Sequence, residues 1–380
     1  MKRSVMVGLV VLAVAVLVGV SVLVDDRPHT DANPNVDVGP VPGSYAAKVP
    51  TAYQHKFSPF SASVGICHET DNETLAQLSA IAKNFKMMHI YRYDEQALQI
   101  AQKNNMEILL GTDIKVGISF ATQEIADTYV RTRILPYKNV IKAICIGNEP
   151  NIDKTFIDSK TFARIASHVS KALKKNKLDI PVTVNLVFGC TASLYPPSRV
   201  TFKPAGSVNN GIYSPIPYIQ TIASVNPGKP FLFYDFYPNL ALGGKVTLQY
   251  CLFESGRHPG GVVSCGMFDA QYLSACNATY AVNDKMEVYV AETGWPNAPE
   301  SGPGGSPENQ ASYVNYFYNR WVKPQGGPGA SNTIPVFLFY AYPNRNSNAV
   351  FALFNNSKID FSQYSEYNGV SISRAGSEGK

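Results

Sequence analysis

The sequence has few charged residues, few cysteines and no concentration of basic side chains. Of its 380 residues only 16% are Asp, Glu, Lys or Arg, and the formal net charge is +5. The Lys and Arg residues are scattered, so the basic patch expected of a nucleic-acid-binding protein is missing. The six cysteines include no Cys-x-x-Cys motif and the histidines form no close pair, which leaves a zinc site without support. We expect neither a metal nor an organic cofactor.

The glycine patterns that bind nucleotide phosphates are also absent. The glycine-rich stretches at 302–305 and 326–329 neither follow a predicted strand nor open a helix, and neither ends in Gly-Lys-Ser/Thr. Flexible loops are the better interpretation of both stretches.

One long hydrophobic run is present, at the N-terminus. Two basic residues precede an uncharged run over 5–24, which as a helix at about 1.5 Å per residue would match a bilayer core of roughly 30 Å. The hydrophobic part of a secretory signal is usually shorter, about 7 to 15 residues, so the run favours a membrane-inserted signal anchor. Gly19-Val20-Ser21 keeps a cleaved signal peptide open. Positive charge before the run predicts that the rest of the chain is extracellular or at the cell surface.

The remaining chain divides into three segments. Residues 25–60 are rich in Pro, Gly and Asp and lack periodicity, which predicts an extracellular linker. Residues 61–364 form one large domain, which we expect to be monomeric, and 365–380 are a polar tail. Asn-x-Ser/Thr sequons, the acceptor sites for N-glycans, agree with an exported protein and occur at Asn72, Asn277 and Asn355.

Apolar strand-like runs alternate with helix-like runs throughout the large domain. The strands are predicted at 62–67, 87–93, 106–111, 140–146, 182–188, 231–236, 287–291 and 335–340. Eight such periods over about 300 residues predict an α/β fold of the (β/α)8 TIM barrel type, preceded by the apolar helix and the linker. A doubly wound open sheet would give the same alternation.

Two glutamates stand directly after buried strands and favour the barrel. Glu149 follows the fourth strand and Glu292 the seventh, each beside a turn-forming Pro or Gly. Catalytic groups of parallel barrels sit at the carboxyl ends of the strands, and strands four and seven face each other across the mouth. Two carboxyl groups about 5 to 5.5 Å apart can hydrolyse a glycosidic bond with retention of configuration, one as acid/base and the other as nucleophile.

Several neighbours of these acids could bind sugar. Asn148 can donate a hydrogen bond to a sugar hydroxyl beside Glu149. Aromatic residues on loops after the strands, among them Tyr237 and Tyr340, could form platforms for pyranose rings.

With these motifs the chain resembles glycoside hydrolase family 17, a β-1,3-glucanase family in the clan of retaining (β/α)8 glycosidases. The matching motifs are Val64-Gly65-Ile66-Cys67, Tyr93-Asp94, Gly147-Asn148-Glu149, Phe236-Tyr237-Pro238, Phe268-Asp269-Ala270 and Glu292-Thr293-Gly294-Trp295-Pro296. The resemblance implies that Glu149 is the general acid/base and Glu292 the nucleophile. It also implies that Tyr93 and Tyr237 orient Glu292 or line the adjacent subsite, and that Trp295 supports its loop or stacks on a sugar.

The sequence departs from the family pattern near both acids. Family members typically carry Arg two positions before the tyrosine of Tyr-Asp, where this chain has Tyr91, with Arg92 beside it. Asp235 stands where Asn is usual, and aromatic residues follow the eighth strand where plant members have charged residues.

The expected function is hydrolysis of β-1,3-glucosidic bonds in a β-glucan polysaccharide or oligosaccharide. Transglycosylation is an alternative, because another sugar can capture the covalent intermediate. A glucan-binding barrel without turnover is a second alternative, and a β-mannanase or β-1,4-glucanase of the same clan is a third.

Overall fold

In the computed structural model of the chain, eight parallel strands close into a barrel in the order β1-β2-β3-β4-β5-β8-β9-β10. These strands are Val64–His68 (β1), Met87–Ile90 (β2), Glu107–Thr112 (β3), Ile141–Asn148 (β4), Val182–Val187 (β5), Phe231–Phe236 (β8), Glu287–Thr293 (β9) and Val336–Leu338 (β10). Pairing of β1 with β10, from Val64 with Val336 to Ile66 with Leu338, closes the sheet. Closure distinguishes the barrel from an open doubly wound sheet and confirms the predicted fold.

The structure describes residues 57–61, 64–68, 74–112, 120–192, 197–243, 246–253, 266–318, 321, 334–342, 351–354, 356–359 and 361. The apolar run, most of the linker, the polar tail and two sequons, at Asn72 and Asn355, lie outside these residues. Within the described ranges no helix combines the length and hydropathy needed to cross a bilayer.

Helices follow most strands and cover the outside of the barrel. They are Leu75–Asn84 (α1), Glu95–Lys103 (α2), Gln123–Tyr129 (α3), Ser159–Lys175 (α4), Ile216–Val225 (α5), Leu248–Cys251 (α6), Met267–Val282 (α7) and Pro307–Phe317 (α8). Polar side chains start several of them: Thr74 forms a capping box with Gln77, and Asp94 accepts the backbone N–H of Ala97. A capped start fixes where the chain leaves each strand-end loop, which in turn fixes the loops at the mouth.

Two local features were not predicted from the sequence. The helix that begins at Gln123 ends as α-helix at Tyr129 and continues as a π-helical turn over Val130–Ile134. The long loop after β5 contains a short hairpin of Val208–Asn209 (β6) and Ile212–Tyr213 (β7). Both features are too short to produce a periodic pattern in the sequence.

Aromatic rings fill the interior at the end where the strands begin. Phe60 packs edge-on against Phe233 and Phe337, and Phe57 lies against Phe231. The Tyr289 hydroxyl donates a hydrogen bond to the Phe57 carbonyl. The segment at 57–61 therefore closes the floor of the barrel, opposite the end at which the strands terminate.

The cysteines of the described residues are buried and form no disulfide with one another. Cys251, Cys265 and Cys276 lie on one stretch of the sequence and could supply one bridge in an oxidising compartment. Cys251 and Cys276 are not bonded to each other, and Cys265 lies outside the described residues. The Cys251 thiol instead contacts the Pro238 carbonyl at 3.3 Å.

Candidate active site

Glu149 and Glu292 lie at the same mouth of the barrel, because both stand at the carboxyl ends of parallel strands. Glu149 directly follows β4, and Glu292 is the penultimate residue of β9. Their exposed fractions are 6% and 5%, far below those of ordinary surface carboxylates. A buried carboxyl group is stable only if hydrogen-bond donors compensate its charge or if it keeps its proton.

Backbone geometry directs the Glu149 side chain. Glu149 has a φ of 51°, in the left-handed region that few non-glycine residues adopt, and Gly147 before it has a φ of 72°. The turn is held at both ends, since Glu149 N–H donates to the Asn185 carbonyl at 3.1 Å and Thr155 Oγ1 donates to the Glu149 carbonyl at 2.5 Å. A residue held in this region at a functional site is a common arrangement for pre-organised groups.

Two tyrosines hold the Glu292 carboxyl. Tyr91 donates its hydroxyl to Oε1 at 2.7 Å, and Tyr237 donates to Oε2 at 2.6 Å. Burial raises the pKa of both phenols well above the usual value of 10.0, so both are neutral hydrogen-bond donors at neutral pH. Donors on both oxygens favour the charged carboxylate, which is the form a nucleophile needs.

A buried histidine, His89, packs against one of these tyrosines, Tyr91. The His89 ring lies 4.3 Å from the Tyr91 ring between centroids, and its Nδ1 is 3.4 Å from the Ala291 carbonyl oxygen. Burial lowers the pKa of His89 to about 3, so the ring is neutral. His89 therefore packs against Tyr91 as an uncharged ring.

A row of polar side chains crosses neighbouring strands beside Glu149. Asn185 on β5 donates from Nδ2 to Asn148 Oδ1 at 2.6 Å and to Asp235 Oδ2 at 2.9 Å. The strand register pairs Asn148 with Asn185, and Asp235 with Glu292. This row connects the strand that carries the acid/base candidate to the strand that carries the nucleophile candidate.

Three carboxyl groups share this buried space. Burial raises the pKa of Glu149 to about 7, and a hydrogen bond with Asp235 partly opposes that rise. The pKa of Asp235 lies well above its usual range because of burial, followed by the negative charges of Glu292 and Glu149. A proton is thus retained near Glu149 at neutral pH, while Glu292 receives two hydrogen bonds that favour its charge. Within the described ranges no group of three or more His, Cys, Asp or Glu side chains is arranged to hold a metal ion.

Of the predicted sugar-binding residues, Asn148 and Tyr237 lie beside the acids. Asn148 is half-buried and accepts a hydrogen bond from Asn185 through Oδ1. Tyr93 does not share the Glu292 contact, because its ring packs near Tyr137 and beneath Arg133, whose guanidinium carbon is 4.2 Å from the ring centre.

Trp295 and Tyr340 are both buried, with 0% of each residue exposed. The Trp295 indole donates to the Gly304 carbonyl at 3.0 Å, so its contacts favour the loop-supporting role over stacking on a sugar. Tyr340 packs against Phe339, with 4.6 Å between the ring centroids. A pyranose platform needs an open ring face, which neither residue presents.

The sequon at Asn277 lies on α7. The Asn277 side chain is half-buried and its Nδ2, the atom that would carry a glycan, donates to the Pro197 carbonyl at 2.7 Å. Thr279 of the same sequon has no exposed surface. These contacts count against glycosylation at this position.

Three residues of the site were absent from the predicted set: Tyr91, Asn185 and Asp235. Tyr91 and Asp235 were noticed only as departures from the family pattern. A usable signal exists for Asn185 and Asp235, since each is an amide or carboxyl residue near the end of a mostly apolar strand. Tyr91 carries no such signal, because a tyrosine directly after a strand is as common in a hydrophobic core as in a functional site.

A closed parallel barrel with two buried glutamates at its mouth defines the class of (β/α)8 enzymes that use carboxyl groups. The chain matches the sequence model of glycosyl hydrolases family 17 over residues 64–359, and it belongs to that family.

Curated relatives and solved structures agree with this assignment. Glucan endo-1,3-beta-glucosidase 13 of Arabidopsis thaliana is 28% identical over 312 residues, which cover 76% of this chain and 60% of the relative. A putative glucan endo-1,3-beta-glucosidase GVI of Hordeum vulgare is 27% identical over 279 residues, 68% of this chain and 81% of the relative. The chain thus spans less than two thirds of the Arabidopsis protein.

Among solved structures, a β-1,3-glucanase and allergen of Cryptomeria japonica pollen has a TM-score of 0.63 at 20% identity, covering 77% of this chain and 95% of its own. A structure from a study of two plant β-glucan endohydrolases with distinct substrate specificities also has a TM-score of 0.63, at 21% identity, covering 76% and 94%. At these identities the likeness concerns the fold.

Proposed function

We propose that this chain is a retaining glycosidase that cleaves β-1,3-glucosidic bonds in glucans. The observation that carries the proposal is the contrast between two buried glutamates at one mouth. Glu149 has a pKa raised by burial to about 7 and so retains a proton near neutrality, whereas Glu292 receives hydrogen bonds from two neutral phenols. Membership of family 17 and the names of the curated relatives support the choice of β-1,3-glucan.

The reaction follows from these two protonation states. In the first step the Glu292 carboxylate bonds to the anomeric carbon, the bond to the leaving oxygen breaks, and Glu149 gives that oxygen its proton. In the second step water bonds to the same carbon, Glu149 takes a proton from the water, and Glu292 departs as a carboxylate. Two inversions at one carbon give net retention.

Each acid can be tested by an isosteric amide. We expect Glu292→Gln to abolish laminarin hydrolysis, since the amide cannot attack carbon. We expect Glu149→Gln to lower it by about 10²- to 10⁴-fold, the usual contribution of a general acid. The matched control is Glu287→Gln, because Glu287 is also buried and lies at the opposite end of β9. Undiminished turnover in Glu292→Gln would refute the nucleophile assignment.

Product analysis separates the remaining alternatives. Proton NMR of the first-formed products should show the β anomer, as retention requires. Longer oligosaccharides made from a defined short β-1,3-glucan would indicate transglycosylation, and binding without new reducing ends would indicate a non-catalytic barrel. Faster hydrolysis of a cellulose or mannan control than of laminarin would redirect the proposal to another substrate.

We also propose that the enzyme acts as a monomer outside the cell, held by a signal anchor over residues 1–24 or released after its cleavage. The basic residues before the apolar run and the linker at 25–60 support this arrangement. Retention of the full chain in carbonate-washed membranes would select the anchor, and recovery of a shortened chain from the medium would select the signal peptide.

A further inference from the structure

Asp235 is a third buried carboxyl at the mouth, and the mechanism above does not use it. It lies on β8 with 7% of its surface exposed. Its Oδ2 accepts a hydrogen bond from Asn185 at 2.9 Å. Its Oδ1 is buried, and no backbone N–H, amide or hydroxyl group of the described residues donates to it. An ionised Asp235 would therefore leave one buried carboxylate oxygen without a donor, which is costly.

The group that Asp235 meets in hydrogen-bond contact is the Glu149 carboxyl. Two carboxyl groups can hydrogen-bond to each other only when at least one of them carries a proton, because ionised carboxylates are acceptors only. The contact and the buried Oδ1 thus point to the same conclusion, that a proton resides between these two side chains.

The other titratable groups around Asp235 make it the better holder of that proton. The titratable groups that interact with Asp235 include no cation. Besides Glu149, they are Cys145 on β4, Glu292 on β9 and Tyr237 directly after β8. Glu292 is its partner in the strand register. Burial, followed by the negative charges of Glu292 and Glu149, raises the pKa of Asp235 well above its usual range, so Asp235 favours its protonated form.

We propose that Asp235 is a positioning residue that keeps its proton while the enzyme works and donates it as a hydrogen bond to the Glu149 carboxylate. This inference rests on the proposed function, since it takes Glu149 as the acid/base. When Glu149 gives its proton to the leaving oxygen, the new carboxylate accepts from Asp235. When Glu149 takes a proton from water in the second step, that hydrogen bond weakens and Asp235 is unchanged.

The kinetic test compares two substitutions at one position. Asp235→Ala removes the donor, so the Glu149 carboxylate is less stabilised and Glu149 becomes a weaker acid. We expect kcat/KM on laminarin to fall about 10- to 100-fold and its alkaline limb to move up by about one pH unit. Asp235→Asn keeps an N–H donor at the same place and should recover most of the lost rate and return the limb toward its original pH.

The direction in which the alkaline limb of kcat/KM moves distinguishes a protonated Asp235 from an ionised one. An ionised Asp235 would raise the pKa of Glu149 by charge repulsion, and both substitutions would then move the alkaline limb to lower pH. A loss of rate with no movement of the limb in either variant would indicate a purely structural role. Either result would overturn the proposal. Asp269→Asn is the control, because Asp269 is a buried carboxyl on α7 that accepts from the Trp321 indole at 2.9 Å, away from this pair.

A spectroscopic measurement tests the proton without relying on turnover. At a pH about one unit above the pKa of Glu149, infrared spectra of the wild type should contain the carbonyl stretch of a protonated carboxyl. We expect Asp235→Asn to lose this band and Glu149→Gln to keep it. Persistence of the band in Asp235→Asn would contradict the inference even if the enzyme proved inactive on every glucan. The same spectra decide the question if Asp235→Ala fails to fold.

Discussion

At the scale of single residues, the proposed nucleophile, Glu292, has neutral hydrogen-bond partners. Tyr91 and Tyr237 each donate to one oxygen of Glu292, and neither brings a charge. A hydrogen bond to a charged group contributes about 1.5–3 kcal/mol. The two hydroxyl groups therefore both favour the charged form of Glu292.

Removal of either hydroxyl should change how the enzyme responds to acid. We expect Tyr91→Phe and Tyr237→Phe each to move the acid limb of kcat/KM to higher pH by about one unit, because the lost donor favoured the charged carboxylate. The pH dependence of laminarin hydrolysis measures the shift. Tyr234→Phe serves as the control, since Tyr234 is a fully buried tyrosine of the same barrel whose hydroxyl contacts Thr279 at 3.1 Å. An unmoved acid limb in both site variants would show that the phenols do not set the charge of Glu292.

The residues of the site could be predicted only in part from the sequence. Glu149 and Glu292 are identifiable because an acid directly after an apolar strand has a defined place in a parallel barrel. The contacts of Asn185 and Asp235 depend on the lateral register of β4, β5 and β8, which a strand's own sequence does not encode. Register shifts interrupt the pairing of β4 with β5 and of β8 with β9, so counting residues along each strand would misplace these contacts.

At the scale of elements, β2 and β3 position Tyr91. A Cβ atom built on Gly111, at the fifth position of β3, would lie 2.6 Å from the Tyr91 carbonyl oxygen and 2.8 Å from its Cα. Real Cβ atoms do not approach backbone this closely. Glycine is therefore required where Tyr91, directly after β2, passes alongside β3. The close approach holds the Tyr91 backbone against β3, and the Tyr91 hydroxyl bonds to Glu292.

Gly111→Ala should therefore act on the site through the backbone. We expect overpacking to lower the free energy of unfolding by about 1–3 kcal/mol, and the acid limb of activity to move in the same direction as in Tyr91→Phe. Gly65→Ala is the matched control: its Cβ would lie 2.7 Å from Met87 Cβ and from Phe337 Cδ1, in the barrel interior. Denaturant unfolding and pH profiles of both variants should show similar destabilisation but a shifted limb in Gly111→Ala alone.

Most elements could be predicted because each strand is short, apolar and buried along its length. The strand at 231–236 has the predicted bounds, and the others differ from the prediction by a few residues at their ends. The largest difference concerns β2, which was expected to run to Tyr93 and ends at Ile90. The loop consequently starts at Tyr91, and this early end, which no residue pattern indicates, allows Tyr91 rather than Tyr93 to reach Glu292.

At the scale of the whole molecule, a buried acid couples stability to pH. Burial raises the pKa of Glu149 from 4.5 to about 7, so the folded chain binds more protons than the unfolded chain between these values. The contribution of Glu149 to stability is present below pH 4.5 and is lost as pH rises toward 7, at up to about 1.4 kcal/mol per pH unit.

Glu149→Gln should then be more stable than the wild type at pH values above 7 and nearly equal to it at 4.5. The reason is that the amide never carries the buried charge that the folded wild type acquires. Melting temperatures measured by circular dichroism across this range check the trend, with Glu300→Gln as a solvent-exposed control. A constant difference at every pH would mean that Glu149 titrates normally in the folded chain.

The aromatic floor formed by Phe57 and Phe60 also fixes the end of the barrel at which the preceding chain is attached. Chain that precedes Phe57 joins the barrel at the pole opposite the carboxylates. Attachment of the protein through that end leaves the mouth with the carboxylates at the far end of the barrel. A polymer strand such as the proposed glucan substrate can then reach the mouth without being obstructed by the attachment.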